Sequence, residues 1–281
     1  MKQLFFIIIM LALEAPVKAQ DKCNCPQQSK QGKGTLYFTG GYNFDWFAKS
    51  DLHFEDRSSE AIEKGNDYSF TIYNVKVVDK KDEIKDIFHE DITIPQYSFR
   101  IGYWFNGKHD LGVELNYDHA KYKMLRNQRV HLKGEIRGQE YDKDVSLDSA
   151  NFGYYPFLWF EHSNGANFCL VDIVKRANII HNKNKKLWLG AVFKYGFGFV
   201  LPRTDVTILG VNRNDKYHVA GYITGVEVGL RFDLYKYFFL ETTGKGVYAN
   251  YNNVLLPGEG RGKHKVYGLE YIASLGVQFP L

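Results

Sequence analysis

The sequence contains few cysteines and few prolines, and it has no long apolar run after its first twenty residues. Its 281 residues include three Cys and seven Pro. Three cysteines do not form the framework of a disulfide scaffold, and a charged share of 24% is too ordinary to indicate disorder. A transmembrane helix needs about 20 apolar residues, and no segment after the N-terminus meets that length.

An excess of charge of one sign is also missing. The chain has 36 Lys and Arg against 32 Asp and Glu, for a net charge of +4. These cations are spread along the chain and form no Lys/Arg block of the kind that binds nucleic acid. We therefore expect no nucleic-acid partner.

The N-terminus has the pattern of a secretory signal. Lys2 provides the positive start, residues 4–13 are apolar, and a cut before Gln20 follows small or medium residues. The alternative is a membrane anchor, but a run of about ten apolar residues is too short to span a bilayer as a helix. We predict a signal peptide over residues 1–19, a polar tail over 20–34 and one exported domain over 35–281.

Aromatic residues are abundant, at 16% of the chain, and they follow a period of two. In residues 265–279, Tyr267, Leu269 and Tyr271 share one face, while Gly268 and Glu270 lie on the other. Such alternation indicates strands with one apolar side. The segments with this pattern are 35–46, 97–105, 111–118, 167–180, 187–200, 217–232, 237–248 and 265–279. They are long enough for tilted membrane strands, which need about 9 to 11 residues.

The connections between these segments alternate strictly between long and short. The long ones are 48–93, 123–166, 201–216 and 252–264, and the short ones are 106–109, 181–186 and 233–236. Outer-membrane barrels have long outward loops and short periplasmic turns. We predict an all-β, antiparallel transmembrane β-barrel of eight strands in the bacterial outer membrane, with long extracellular loops.

Two long loops contain further structural signals. Residues 69–78 have the pattern of another strand, and residues 80–88 have that of a helix. Residues 130–137 and 145–147 are expected to pair as a hairpin that extends the barrel wall past the membrane. If these segments are counted as crossings, the barrel has ten or twelve strands instead of eight.

A soluble sandwich or a lipocalin-like barrel is the competing fold. Its apolar face would point inward, and so many Tyr and Phe would overfill a small barrel. Aromatic residues also lie near the strand ends, as Trp46, Tyr97 and Phe279 do, where the girdles of membrane barrels form. Both observations favour the membrane barrel.

The polar face of the strands is expected to fill a narrow lumen with charges of both signs. The predicted lumen residues are Arg100, Glu114, Asp172, Arg176, Lys194, Glu227, Arg231, Glu241, Lys245 and Glu270. Buried charges are costly unless they are paired, so we predict a salt-bridged plug. A proton or ion pathway is the functional alternative, and a transport channel would need more strands.

The segment 160–167 contains Glu161, His162 and Ser163, followed by Asn164 and Gly165. It resembles the His-x-Ser-Asn motif of outer-membrane lipid A 3-O-deacylases and the His-x-Ser-Asn-Gly motif of outer-membrane phospholipase A. The resemblance implies a serine esterase with His162 as base and Ser163 as nucleophile, and Glu161 or Asp172 is the candidate orienting acid. In those families one residue separates His from Ser, whereas here the two are adjacent, so a regular strand would place them on opposite faces.

A broader resemblance covers roughly the C-terminal half of the chain. The segments 160–167, 201–210, 217–222 and 236–239, together with Lys245-Gly246, are similar to a group of uncharacterised bacterial outer-membrane β-barrel proteins. The resemblance implies an outer-membrane location and a barrel fold, and it brings no assigned reaction.

The functional hypothesis is therefore a barrel with a filled lumen that acts in surface recognition or envelope integrity through its outward loops. The alternative is a lipid A or phospholipid esterase that uses His162 and Ser163. Expected partners are outer-membrane lipids, lipopolysaccharide and the barrel-assembly machinery. We expect no cofactor and no metal site, because Cys23 and Cys25 lack histidines at zinc-ligand spacing.

Overall fold

The computed structural model describes residues 34–79, 96–106, 110–162, 164–181, 187–214 and 216–281. These residues form antiparallel strands and one short helix. In chain order the elements are β1 (Thr35–Phe47), β2 (Ser50–Asp56), α1 (Ser59–Glu63), β3 (Tyr68–Val75), β4 (Val77–Val78), β5 (Tyr97–Trp104), β6 (Leu111–His119), β7 (Tyr122–Met124), β8 (Arg129–Ile136), β9 (Gln139–Ser146), β10 (Leu158–His162), β11 (Phe168–His181), β12 (Leu187–Val200), β13 (Asp205–Ile208), β14 (Val211–Arg213), β15 (Gly221–Leu234), β16 (Phe238–Leu255) and β17 (Arg261–Pro280). Within this part of the chain no helix has the length and hydropathy to cross a bilayer.

Eight strands close into a ring in the order β1, β5, β6, β11, β12, β15, β16, β17. The ring closes because the first strand pairs with the last, from Thr35 opposite Pro280 to Phe47 opposite Gly268. Every pairing in the ring is antiparallel. The predicted eight-stranded barrel is thus confirmed, and the extra strands of the long loops lie outside the ring.

The two faces of the ring have opposite polarity. Leu115, Phe197 and Leu269 point outward and are 58 to 60% exposed. Their neighbours in the sequence point inward and include Glu114 and Glu270, which are buried. A continuous apolar exterior around a charged interior is the arrangement of a membrane-spanning barrel, and closed barrels of this kind belong to the bacterial outer membrane.

The strands β5, β11 and β15 end on the same side of the ring as Thr35 and Pro280. In outer-membrane barrels this end faces the periplasm. The opposite end is therefore extracellular, and the long connections fold there. We call that part the cap: it comprises β2, α1, β3, β4, β7 to β10, β13, β14 and the outer ends of β16 and β17.

The cap consists of two sheets. In the first, the outer end of β17 pairs with β2, and the sheet continues through β3 and β8 to β9. The second has five strands in the order β14, β13, β10, β7, β4. Phe54 of the first sheet contacts Phe160 of the second, with 5.6 Å between ring centroids. The extracellular segments thus share an apolar core.

The signals within the long loops have mixed outcomes. The strand expected over residues 69–78 is present as β3 and β4, which Lys76 separates; within β3, Asn74 has a φ of 55°. The hairpin is confirmed as β8 and β9, although β9 begins at Gln139, earlier than the predicted residue 145. The helix expected over residues 80–88 lies outside the described residues.

The fourth long loop is the main correction. Residues 252–264 were expected to be a loop, but β16 continues to Leu255 and β17 begins at Arg261, so only residues 256–260 connect them. The strands extend because β2 pairs with β17 from Arg261 to His264 and satisfies its backbone groups above the membrane. A smaller difference concerns β15, which starts at Gly221 and not at residue 217.

Candidate functional site

The centre of the lumen is an ion-pair cluster around two cations from opposite parts of the ring. Arg100 of β5 lies 3.2 Å from Glu114, 3.1 Å from Asp118 and 3.2 Å from Glu227. Lys194 of β12 lies 3.1 Å from Glu114 and 3.2 Å from Glu227. Both cations have side chains that are 1% exposed. Shared carboxylates therefore join the two cations across the lumen.

The cluster extends toward the extracellular side through Lys245. Its Nζ lies 2.5 Å from Asp118 and 3.8 Å from Glu270. Asp45 lies directly opposite Glu270 in the pairing of β1 with β17. Gln96 donates to Asp45 Oδ2 at 2.9 Å and so stabilises this carboxylate.

The periplasmic side of the lumen is closed by an arginine among aromatic rings. Arg231 is 0% exposed, lies 3.1 Å from Asp233 and packs 3.3 Å from the centroid of Phe239. Tyr37 stacks on Trp104 at 5.5 Å and donates from Oη to Glu114 Oε2 at 2.7 Å. Glycines on the neighbouring strands leave the space that these rings occupy.

Two of those glycines explain why the lumen face contains residues without side chains. A Cβ atom on Gly102 would collide with the ring of Tyr37, and one on Gly276 would collide with the ring of Phe239. A larger residue at either position would displace the ring that blocks the periplasmic mouth.

Most of the predicted lumen residues meet in one network. Ion pairs of 4 Å or less connect all of them except Asp172, either directly or through shared partners. Asp172 instead accepts a hydrogen bond from Asn116 Nδ2 at 3.0 Å. Arg176 joins at the periplasmic mouth, 3.6 Å from Asp233 and 3.4 Å from Asp110.

Sequence reasoning missed two carboxylates of this network, Asp118 and Asp233. Both lie on the polar side of their strands, Asp118 at the end of the predicted segment 111–118 and Asp233 in the predicted short connection 233–236. The alternation predicts on which face of the wall a side chain lies. Its ion-pair partner, however, depends on which strands meet across the lumen. Asp118 bonds to Lys245, a residue 127 positions away.

His162 lies in the cap and is fully buried. Its Nδ1 is 2.9 Å from Thr204 Oγ1, and its Nε2 is 3.4 Å from Nε2 of His264. Tyr251 stacks on His264 with 4.4 Å between ring centroids. Burial lowers the pKa of His162 to about 3 and that of His264 well below its ordinary value. Both imidazoles are therefore neutral at physiological pH.

The other residues of the predicted esterase site have different positions. Ser163 lies outside the described residues. Glu161 is buried on the face of β10 opposite His162, at a position paired with Asp205 and Lys123. His162 contacts Thr204 and aromatic or histidine rings. A catalytic histidine needs access to substrate, and this one is 0% exposed.

The distal surface of the cap has a cluster of aromatic and cationic side chains. Arg137 stacks over Tyr154 at 5.0 Å and donates to its hydroxyl group. Lys143 lies 5.0 Å from the ring of Tyr141 and 4.9 Å from that of Phe152. We call these residues and Tyr155, which is 64% exposed, the tip cluster. Aromatic and arginine side chains are the residues that most often dominate binding energy at protein surfaces.

Metal binding has no evident location in the described part of the chain. There, no group of three or more His, Cys, Asp or Glu side chains has the arrangement needed to hold an ion. Cys169 is a free, half-buried thiol. Cys23 and Cys25 lie outside the described residues.

Comparison with known proteins finds similarity at the level of solved structures. The chain matches no protein-family model and no curated protein. The attachment invasion locus protein Ail of Yersinia pestis is 9% identical, with 88% of this chain and 99% of that chain covered and a TM-score of 0.31. The outer-membrane protease OmpT of Escherichia coli is 10% identical, with 89% and 98% covered and a TM-score of 0.34.

A third structure, the outer-membrane protein OprG of Pseudomonas aeruginosa, is 10% identical, with 89% and 97% covered and a TM-score of 0.33. At these values the assignment of the fold depends on this chain's own strand pairing, in which β1 closes on β17.

Proposed function

We propose that this protein is a barrel that anchors a folded extracellular platform, the cap, and that the cap acts in surface recognition. The barrel provides position and rigidity, and the chemistry of binding belongs to the residues of the cap. A role in envelope integrity would depend on the same surface of the cap.

The observation that supports this proposal best is the core of the cap. Flexible loops would have little apolar burial, but here Phe54, Phe70, Leu132, Phe160 and Val206 are each at most 1% exposed. A core of this quality fixes the relative positions of the strands around it. Binding surfaces are commonly loops or turns held on such a rigid support.

The lumen supports an anchoring role over transport. Eight-stranded barrels are just wide enough for side chains to fill them. Arg100, Lys194, Arg231 and Lys245 are each at most 2% exposed and are surrounded by carboxylates. A solute would have to separate several buried ion pairs, each of which costs several kcal/mol to break.

The tip cluster is the part of the cap that we expect to bind. Tyr155 is exposed, the rings of Tyr141, Phe152 and Tyr154 are half-buried, and Arg137 and Lys143 provide charge beside them. Gly138 and Gly153 occupy positive-φ positions, 71° and 83°, in the two turns that present these side chains. Aromatic side chains need little ordering on binding because they have few rotatable bonds.

Binding can be tested with the full chain in lipid nanodiscs against an array of sulfated glycans, neutral glycans and extracellular-matrix proteins. We expect the double variant Arg137→Ala with Tyr155→Ala to lose any signal that the unmodified protein gives. The matched control is Tyr235→Ala with Lys236→Ala, which removes a ring as exposed as Tyr155 and an exposed cation at the periplasmic end.

Equal loss in the control variant, or a full signal in the tip variant, would contradict recognition by the tip cluster.

Planar-bilayer recording tests the anchoring role separately. We expect no large steady conductance from the purified barrel, and such a conductance would favour a channel. Restoration of detergent resistance by the tip variant in cells that lack the protein would favour envelope integrity over recognition.

A further inference from the structure

The outward face of β17 changes from lipid-facing to cationic within two residues. Tyr267 and Leu269 are exposed on the apolar exterior of the ring, at 50% and 60%. The next exposed positions on that face, toward the cell exterior, are Lys265, Lys263 and Arg261. Because alternate residues of a strand share a face, these cations continue the lipid-facing row directly above the membrane.

Aromatic side chains fix the level at which this change occurs. Trp46 of β1 is 54% exposed and lies opposite Leu269 in the pairing of β1 with β17. Tyr248 of β16 lies opposite Tyr267, and their rings are 5.1 Å apart. Trp and Tyr concentrate at the boundary between hydrocarbon and headgroups. Lys265 and Lys263 are therefore at the level of the lipid headgroups.

A third lysine, Lys49, joins this row from the neighbouring chain segment. The backbone N of Ala48 donates to the carbonyl oxygen of Tyr267 at 2.9 Å, and Ser50 Oγ donates to that of Lys265 at 2.9 Å. Lys49 lies between these two anchored residues and is exposed. We call Lys49, Lys263 and Lys265 the lysine rim.

In the part of the chain that the structure describes, no ion pair within 4 Å involves the lysine rim. Lys133, by contrast, lies 3.0 Å from Asp142. The carboxylate of Asp51 accepts from the backbone N of Asn74 at 2.8 Å. Glu55, which faces Arg261 in the pairing of β2 with β17, lies 3.7 Å from His53.

We propose that the lysine rim binds the phosphate groups of a phosphorylated glycolipid of the outer leaflet, of the lipid A class. Cations at headgroup level attract anionic lipids, and long lysine side chains can reach phosphates while their stems lie on apolar surface. Residues two apart on a strand are about 6.6 Å apart, so Lys263 and Lys265 match an extended headgroup better than one small anion. The acyl chains would lie along Tyr267, Leu269 and Tyr271.

Native mass spectrometry of the full, detergent-folded chain tests this proposal with three probes: bisphosphorylated lipid A, dephosphorylated lipid A and inorganic phosphate. The test variant is Lys263→Gln with Lys265→Gln. The matched control is Lys175→Gln with Lys236→Gln, which removes the same charge from exposed lysines at the periplasmic end. Heat-modifiable gel mobility verifies that both variants are folded.

We expect the rim variant to bind bisphosphorylated lipid A about tenfold more weakly than the unmodified chain, because two headgroup-level charges are lost. The control should bind it unchanged, and dephosphorylated lipid A should bind all three proteins equally. Equal weakening in both variants, or none in the rim variant, would overturn the proposal. Displacement of the lipid by millimolar inorganic phosphate would assign the rim to free anions and would also overturn it.

Discussion

The inward face of β17 passes through two interiors that bury polar groups by opposite means. In the lumen, Glu270 lies among charged side chains, 3.8 Å from Nζ of Lys245. Six residues further along the same face, His264 lies among aromatic rings of the cap and is neutral. The lumen thus pairs its charged side chains, whereas this part of the cap packs neutral histidines among aromatic rings.

The difference reflects the surroundings of each interior. The lumen is enclosed by a ring whose exterior must be apolar at membrane depth, so the charged side chains in the middle of the wall point inward and need partners there. The cap is in water on its outer surface, and its polar side chains can point outward. Its core can therefore be formed as in a soluble protein.

The largest loss of stability is expected from a substitution in the lumen, at Arg100. Arg100→Ala leaves Glu114, Asp118 and Glu227 without their shared cation, and breaking a buried pair costs about 3 to 5 kcal/mol. We expect a lower urea midpoint for the folded barrel in lipid vesicles, measured by gel mobility.

The matched control for this measurement is Arg57→Ala, which removes an exposed ion pair with Glu135. It should change the midpoint little, because exposed pairs contribute at most about 1 kcal/mol. If Arg100→Ala is as harmless as this control, the lumen charges are not a structural network.

The next effect concerns the apolar core of the cap. Phe160→Ala removes a ring that contacts Phe54, Tyr122 and both buried histidines, which should cost about 3 kcal/mol in the cap. We expect faster hydrogen exchange of amides in β10 and β13, with β5 and β6 of the ring still protected.

Equal deprotection of ring and cap would mean that the two interiors unfold together. Trp159→Ala, one residue away on the other face of β10, is the matched variant and should leave the cap amides protected. Its ring contacts Lys123 and Arg126 at the surface.

A smaller effect is expected from acid. The pKa of His162 is about 3 in the folded cap and about 6.5 in an unfolded one. The unfolded state therefore binds more protons as the pH falls below about 6.5, and the cap loses stability until about pH 3. At pH 4.5 the loss from this residue is about 2 to 3 kcal/mol.

Hydrogen exchange of the cap at pH 7.5 and 4.5, corrected for intrinsic rates, measures this loss. His162→Gln should reduce the pH dependence, whereas His131→Gln, at an exposed histidine of β8, should leave it intact. Protection of the cap that is the same at both pH values would show that His162 does not limit acid stability.

We expect no esterase activity from this protein. Burial lowers the pKa of His162 to about 3 and keeps substrate away from its ring, so it is a poor general base. The purified barrel should therefore release no fatty acid from phospholipid or lipopolysaccharide above background. Ser163→Ala should behave like the unmodified chain in the same assay. Hydrolysis that Ser163→Ala abolishes would establish the enzymatic alternative.

The ring could be predicted from the sequence because each membrane crossing has a local period of two. Lipid on one side and lumen on the other force that alternation, and the positions of Tyr271 and Glu270 show it without knowledge of the partner strands. The same logic predicted the lumen residues, although not which of them pair.

The cap required information that is not local. Residues 252–264 include Asn252, Asn253 and Pro257, which are typical of a loop, yet strands continue there because β2 lies alongside. The pair of His162 and His264 comes from strands 102 residues apart in the chain. Sequence patterns indicated the adjacent Ser163 as the partner of His162, whereas the structure places Thr204 and His264 beside it.

The closure of the ring by β1 and β17 also determines the order in which the molecule can be assembled. The ring stays open until its last strand, β17, pairs with β1. The same strand must also pair with β2, which belongs to the first part of the chain. Joining segments more than two hundred residues apart has a large entropic cost and is slow. Both the membrane ring and the cap sheet are therefore expected to become complete in one late step, when β17 inserts between β16, β1 and β2.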